Sequence, residues 1–148
     1  MPERFDLTCV NEEGAHERIV MIHAAIMGSI ERFLSILIEH TAGHFPLWLA
    51  PEQIRILPIG ERHQEYAAAV ARDLTQAGLR VSVDASSESL GKRIRNAKVG
   101  KLPYLVVVGD KEMEEGMLSV ESRTQGQIGA LTSASFVDTL LQEISEKR

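Results

Sequence analysis

The most constraining feature of this 148-residue chain is an alternation of short apolar runs with helix-like stretches from residue 53 onwards. Residues 103–108 form a continuous apolar run, which is typical of a strand buried on both faces of a sheet. Further strands are predicted over residues 54–59 and 79–83, with a weaker edge strand over residues 117–121. Strands that alternate with helices favour an α/β fold in which helices pack on a mainly parallel sheet.

Three helices are predicted between and after these strands. Residues 61–77 and 135–145 carry apolar side chains at the spacing of one helical face, so both are expected to pack on the sheet. Residues 87–97 form a polar helix, and Glu88 in its first turn is favourable for the helix dipole.

The first fifty residues have a different pattern. Residues 4–10 and 18–23 flank a polar turn with a glycine, which predicts a β-hairpin. Residues 29–40 form an amphipathic helix with a stripe of apolar side chains. Two prolines exclude a regular helix over residues 45–51, which we interpret as a packed linker and a domain boundary. The predicted domains are residues 1–50 and 51–148.

Composition excludes several classes of protein. Hydrophobic residues make up 44% and charged residues 25%, close to the average of globular domains. No apolar stretch is long enough to span a membrane, no signal or lipid-anchor motif is found, and the single cysteine, Cys9, excludes an internal disulfide. These features predict a soluble cytoplasmic protein with no membrane partner. The net charge of −5 argues mildly against a general nucleic-acid binder, and no DNA partner is expected.

One segment is locally basic despite the acidic average. Residues 89–101 contain no acidic side chain and five cationic ones, which are Lys92, Arg93, Arg95, Lys98 and Lys101. A solvated helix face and a phosphate-contacting RNA surface explain this pattern equally well. Tyr104, which lies just beyond the segment, either packs in the core or stacks on an unpaired base.

Three features of the N-terminal third are candidate sites, and each of them also has a simpler structural explanation. His40 and His44 have the i, i+4 spacing of a metal pair, but Gly43 interrupts the helix and no third ligand is near in sequence. His23 ends an apolar run, where a histidine usually packs. Arg32 fits either a solvated ion pair or a phosphate site that uses a fixed guanidinium. From the residues alone, we favour the structural explanation in each case.

Longer motifs resemble one family. Residues 21–33, MIHAAIMGSIERF, resemble motif 3 of class II aminoacyl-tRNA synthetases in the form that threonyl-tRNA synthetases carry. Residues 43–51, GHFPLWLAP, are similar to the link between the catalytic and anticodon-binding domains of the same enzymes. The segments GKRIR (91–95), PY (103–104) and VGDKE (108–112) resemble a signature that prolyl, histidyl and glycyl enzymes share, so they indicate the fold rather than the amino acid.

The resemblance covers nearly the whole chain and implies a three-layer α/β anticodon-binding domain with a mixed, mainly parallel sheet of about five strands, preceded by a hairpin and helix of a class II catalytic domain. It implies a threonine–tRNA ligase, which charges threonine tRNA with ATP in translation and is a cytoplasmic homodimer. The chain would be the C-terminal part of that enzyme and would recognise the tRNA anticodon. Zinc and ATP with Mg²⁺ are cofactors of the intact enzyme, and we expect neither bound cofactors nor aminoacylation in this chain alone.

The resemblance also implies roles for individual residues. His23 matches a ligand of the catalytic zinc, which reads the amino and hydroxyl groups of threonine. Arg32 matches the motif 3 arginine that contacts the ATP γ-phosphate. Arg95 and Glu112 match residues that contact anticodon bases, for which a guanidinium and a carboxylate offer donors and acceptors. The candidates for contacts with the phosphate backbone are Lys92, Arg93 and Lys98.

Three further anticodon positions depart from the family pattern. Ser87 stands where close relatives have asparagine, and Lys101 stands where they have arginine. Glu121 replaces an arginine that often contacts the anticodon. Arg123, two residues on, would lie on the same face of a strand and is the candidate to take the place of that arginine.

Two alternatives from other classes stay open at this point. The chain is either part of a ligase or a free-standing synthetase-like paralogue that acts as an RNA-binding regulatory module. A small nucleotide-binding α/β protein, flavodoxin-like in fold, is less favoured because no Gly-rich phosphate loop follows Ile59.

Overall fold

The computed structural model of the protein describes residues 1–25 and 27–148. These residues form two compact units, Met1–Ile36 and Leu37–Arg148, so the division between the units falls within a helix. The predicted linker at residues 45–51 lies in the second unit. The predicted domains, residues 1–50 and 51–148, are defined by function rather than by contacts, and they stay a prediction.

The first unit contains the predicted hairpin. Its strands, β1 (Thr8–Val10) and β2 (His16–Arg18), are antiparallel. The turn is stabilised by the Asn11 side chain, whose oxygen accepts hydrogen bonds from the backbone N–H groups of Glu13 and Ala15 at 3.1 and 2.9 Å. The predicted strands at residues 4–10 and 18–23 are wrong in their extent: β1 begins only at Thr8, and β2 ends at Arg18, so residues 19–23 lie outside any strand. Helix α1 (Ile30–Thr41) lies within one residue of its prediction at either end.

The second unit is built on a mixed sheet. Across residues 37–148, which the structure describes throughout, the sheet has five strands in the order β4-β3-β5-β6-β7. Strand β3 is parallel to both β4 and β5, whereas β6 is antiparallel to β5 and β7. The bounds are β3 (Ile54–Pro58), β4 (Val81–Val83), β5 (Tyr104–Val108), β6 (Met117–Ser122) and β7 (Gly126–Thr132).

Helices cover the two faces of this sheet unequally. A short 3₁₀ turn (Glu61–His63) leads into α2 (Gln64–Gln76), and α2 packs with α5 (Ser133–Ser145) on one face. The main core between these layers contains Ile56, Val106 and Phe136. Helix α3 (Leu90–Val99) packs on the opposite face, where Ala97 contacts Leu105 of β5. The arrangement is the expected three-layer α/β fold with a mixed five-stranded sheet, but the sheet has two parallel and two antiparallel pairings and is therefore not mainly parallel.

Two elements were not predicted, and one strand differs from its prediction. Helix α4 (Asp110–Glu115) has only six residues and no apolar stripe, so helical periodicity does not reveal it. In β7, Gly126 and Gly129 have positive φ angles of 73° and 111°, and glycines obscure a strand pattern. Because β7 pairs with β6, the segment at residues 117–121 is an interior strand, and the prediction that it forms an edge is wrong. Among the described residues, no helix is long and apolar enough to cross a membrane.

The linker is fastened to the second unit by a buried amide. Gln53 is 1% exposed; its Nε2 donates to the Leu47 carbonyl at 2.9 Å, and its Oε1 accepts from the Arg80 backbone N–H at 2.8 Å. The Arg80 guanidinium also donates to the Ala50 carbonyl. Each of these backbone groups is therefore satisfied without a regular element, which explains how a proline-containing segment is held in one place.

Candidate nucleic-acid interface

Helix α3 carries most of the predicted RNA-binding residues, and helical periodicity separates them into two sets. Arg93 and Ala97, four residues apart, face the sheet and are buried. Lys92, Arg95 and Lys98 are exposed on the remaining faces. The helix begins after the carboxyl end of β4 and ends before the amino end of β5, so its outward side chains run along the length of the sheet.

Arg93 is not a phosphate ligand in this structure, which corrects the prediction made for it. The side chain is 4% exposed, and its two terminal nitrogens donate to the carbonyl oxygens of Asp84 and Pro58, both at 2.8 Å. Arg93 therefore ties α3 to the carboxyl ends of β4 and β3. The segment has five cationic side chains, but one of them, Arg93, is buried within the fold.

The other cations of the segment differ in how they are paired. Lys92 forms an ion pair with Glu88, and Lys98 forms one with Glu121 of β6, both at 2.6 Å. The Lys101 amino group donates to the Ala42 carbonyl. Among the described residues, Arg95 alone of the five makes no hydrogen bond or ion pair with its side chain, which is exposed. Its guanidinium fork is therefore available to a ligand.

A polar part of the sheet lies beside α3. Residues paired across antiparallel strands share a face, and Leu105, which packs against α3, is paired with Glu121. Ser119 of β6 faces the same way, because it lies two residues from Glu121 on the strand. Gln127 of β7 donates to the Ser119 hydroxyl at 3.2 Å. We call this region the α3 surface, and it consists of Lys92, Arg95, Lys98, Ser119, Glu121 and Gln127.

Ser87 and Glu112 lie at one edge of the sheet. Ser87 is exposed in the loop after β4, and it lines a cavity of about 250 Å³ together with Gly60 and Arg93. Glu112 lies in the first turn of α4, directly after β5, where its Oε2 accepts from the Gly109 backbone N–H at 2.9 Å. The carboxyl ends of parallel strands are where open α/β sheets bind ligands.

Lys101 and Arg123 lie at the opposite edge, where the guanidinium of Arg123 is occupied by backbone groups. It donates to the carbonyl oxygens of Lys101 and Phe45 at 2.6 and 2.8 Å, and Arg123 itself follows the end of β6. The structure therefore gives Arg123 a role in holding the loops at this edge. In this conformation it is not free to take the place of an arginine at position 121.

Tyr104 packs in the core and does not offer a stacking surface. Its ring meets Phe136 edge-on at 5.6 Å between centroids, and its hydroxyl donates to Glu143 at 2.6 Å. Burial, followed by the hydrogen bond to Glu143, raises the pKa of Tyr104, so the hydroxyl keeps its proton.

A cluster at the carboxyl edge was not anticipated from the sequence. His63, which is 2% exposed, lies with its Nε2 3.0 Å from Oδ1 of Asp110, and Arg62 bonds the other oxygen of the same carboxylate. The hydrogen bond to His63, with the nearby charge of Arg62, holds the pKa of Asp110 below its usual range. His63 and Asp110 are 47 residues apart, and no local pattern connects them.

The two candidates for catalytic chemistry lie in the first unit. The side chains of His23 and Arg32 are both exposed. Within residues 1–25 and 27–148, no three histidine, cysteine or acidic side chains come together as a metal site requires. Among the described residues, the side chains therefore do not by themselves fit a bound zinc ion.

Known proteins with similar sequences and folds agree with this architecture. A family profile described as "Anticodon binding domain" matches residues 53–143. A threonine–tRNA ligase of Syntrophomonas wolfei is 53% identical over 99% of this chain, and one of Carboxydothermus hydrogenoformans is 49% identical over all of it. The chain spans 23% of the length of each of these relatives.

Solved structures give the same result. The RNA-binding domain of threonyl-tRNA synthetase from Cryptosporidium parvum superposes with a TM-score of 0.74 at 34% identity, covering 96% of this chain and 36% of that one. The match over residues 53–143, together with the three-layer fold, shows that the chain belongs to the anticodon-binding domain family.

Proposed function

We propose that the chain binds the anticodon arm of a tRNA with the α3 surface and the adjoining carboxyl edge of the sheet. The observation that carries the proposal is Arg95, an exposed guanidinium without a partner among the described residues, in a domain of the anticodon-binding family. RNA sequence is read mainly on unstacked, single-stranded bases, whose edges accept bonds from such a fork. In the proposal, Arg95 donates to a base edge.

Glu112 has a complementary role in the proposal. One of its carboxylate oxygens bonds the Gly109 N–H and so fixes the side chain, which leaves the other oxygen as an acceptor for a base amino or imino group. Helix α3 starts at the same edge of the sheet. Strand β5, with five residues, is roughly 17 Å long, so the candidate residues extend over the length of a short run of nucleotides.

The lysines of α3 and the remaining positions have supporting roles. Lys92 and Lys98 are held in exposed ion pairs, which contribute little and can be exchanged for a phosphate. Ser87 contributes a hydroxyl near the carboxyl edge, and Lys101 contributes charge at the other edge.

We further infer that the parent protein is a threonine–tRNA ligase that charges threonine tRNA with ATP and Mg²⁺ in the cytoplasm, as a homodimer. Its relatives carry that name, and the chain spans 23% of their length. In that enzyme His23 would hold zinc together with ligands from outside this chain, and Arg32 would contact ATP phosphate. The chain alone would not aminoacylate, because these two groups lack their partners.

The proposed function is tested by titrating the 148-residue chain with anticodon stem-loops. We expect the threonine anticodon to bind at least about fivefold more tightly than a stem-loop with one substituted anticodon base, because one base-edge contact contributes about 1–3 kcal/mol. The affinity should fall as the salt concentration rises. The logarithm of the binding constant, plotted against the logarithm of the salt concentration, should have a slope of about −2 for three phosphate contacts, because each contributes about −0.7. Equal affinity for all anticodons would contradict the proposal.

Replacing Glu121 by glutamine tests the ion pair within the α3 surface. The change releases Lys98 and removes a negative charge, so we expect every stem-loop to bind about two- to fivefold more tightly, in line with the small energy of an exposed ion pair. Filter binding at several salt concentrations should show a steeper salt dependence. Lys98→Ala is the control and should weaken binding to all stem-loops. A loss of discrimination between anticodons in Glu121→Gln would instead mean that Glu121 reads a base.

A further inference from the structure

Helix α4, which carries Glu112, depends on outside contacts for its position. It has six residues, whereas isolated helices shorter than about 12 residues are marginal in water. Its two ends are fastened to the segment that follows β3. At the start, Asp110 bonds His63 and Arg62; just beyond the end, the Tyr66 hydroxyl donates to the Met117 carbonyl at 3.2 Å.

The contacts of His63 define which of its two ring nitrogens acts as the acceptor. The backbone N–H of Gly60 donates to Nδ1 at 3.0 Å, so Nδ1 is an acceptor and carries no proton. The proton of the neutral ring is then on Nε2, which donates to Asp110. Both ring nitrogens are satisfied in one orientation, and the ring is buried. The imidazole therefore acts as a rigid spacer between the loop after β3 and the start of α4.

The loop after β3 and the loop after β5 also approach each other closely beside this ring. The Ile59 N–H donates to the Val108 carbonyl at 2.9 Å, and a Cβ atom on Gly109 would lie 2.6 Å from Cδ1 of Ile59. Gly109 in turn donates to Glu112. A continuous set of contacts thus runs from His63 through Asp110 and Gly109 to the Glu112 carboxylate.

We propose that His63 is a positioning residue for anticodon reading: through its Nε2–H bond to Asp110 it sets the place of α4 and so of the Glu112 carboxylate. The inference rests on the proposed function of Glu112 as a base-reading group. Arg62 contributes less to this placement, because its bond to Asp110 is exposed to solvent, where ion pairs are weak. His63 is the buried partner of the same carboxylate.

The test uses paired variants in the 148-residue chain. His63→Asn keeps an acceptor near Gly60 but is too short to reach Asp110, whereas His63→Gln places an amide nitrogen where Nε2 lies. Arg62→Gln removes only the exposed ion pair. Each variant, with Glu112→Gln and the double variant His63→Asn with Glu112→Gln, is titrated with stem-loops substituted singly at each anticodon position.

A positioning role predicts a specific pattern of effects. Glu112→Gln identifies the base that Glu112 reads; at that base, His63→Asn should reduce discrimination by about tenfold, as loss of one base contact does. His63→Gln should stay within about twofold of wild type because its amide nitrogen takes the place of Nε2, and Arg62→Gln should do so because exposed pairs contribute little. The double variant should be no worse than Glu112→Gln alone, because coupled residues are not additive.

Three outcomes separate the possibilities. If His63→Asn weakens all stem-loops equally, or if its effect adds fully to that of Glu112→Gln, the positioning role is wrong and His63 only supports the fold. If His63→Asn retains full discrimination while Glu112→Gln loses it, the positioning role is again wrong but the proposed function stands. If the wild-type chain does not discriminate anticodons, both proposals are overturned. Two-bond ¹H–¹⁵N spectra that show a proton on Nδ1 rather than Nε2 would also contradict the tautomer on which the inference depends.

Discussion

Replacing Arg95 by alanine is expected to weaken binding of the threonine anticodon stem-loop by about 1–3 kcal/mol, or roughly five- to 150-fold. Arg95 is exposed and has no partner among the described residues, so its loss should leave the fold intact. Isothermal titration at fixed salt gives the affinity, and chemical denaturation should show a stability within about 0.5 kcal/mol of wild type, as for most surface changes.

Arg95→Lys is the matched control for this prediction. Lysine keeps the charge but lacks the planar fork, so it should retain phosphate attraction and lose most of the discrimination between anticodons. Lys92→Ala, on the same helix, should weaken all stem-loops about equally and reduce the salt slope by at most about 0.7. If Arg95→Ala binds every stem-loop as tightly as wild type, Arg95 has no part in RNA binding.

Replacing Arg93 by methionine, by contrast, is expected to destabilise the fold by about 2–4 kcal/mol, because it leaves the carbonyl groups of Pro58 and Asp84 without their donors. Methionine keeps much of the apolar stem, so the loss reports mainly on hydrogen bonding. Urea denaturation followed by circular dichroism measures it. Arg95→Met, two residues further along the helix, is the control and should change the stability by less than about 0.5 kcal/mol.

The reverse ranking would contradict the structural assignment of the two arginines. If Arg93→Met is as stable as wild type but binds RNA weakly, Arg93 is a surface ligand after all. If Arg95→Met is the less stable of the two, the orientation of α3 on the sheet is wrong.

Sequence reasoning proposes a region for the candidate site but does not show which of its cationic side chains are already paired within the fold. The polar helix predicted over residues 87–97 is present as α3, and three cations of the basic segment, Lys92, Arg95 and Lys98, are exposed on it. Which cations are available depends on groups far away in the chain: the carbonyl of Pro58 occupies Arg93, and the carboxylate of Glu121 occupies Lys98. Such pairings follow from the order of strands in the sheet, which no local window contains.

The fold was predictable where the hydrophobic pattern is strong. Strand β5, buried along most of its length, and helix α2, with its apolar stripe, lie within three residues of their predictions. Helix α4 was missed because tertiary bonds to Asp110, rather than its own periodicity, hold it in place. One of these bonds comes from His63, which reaches Asp110 only because β3 and β5 lie side by side in the sheet.

We propose that RNA binds on the α3 surface and at the carboxyl edge beside it. The most direct test is to titrate the ¹⁵N-labelled chain with the threonine anticodon stem-loop and to follow amide chemical shifts. We expect the largest changes at Arg95 and its neighbours on α3, at Ser119 and Glu121 of β6, and at Glu112. Changes confined to α2 and α5 on the opposite face of the sheet would contradict it.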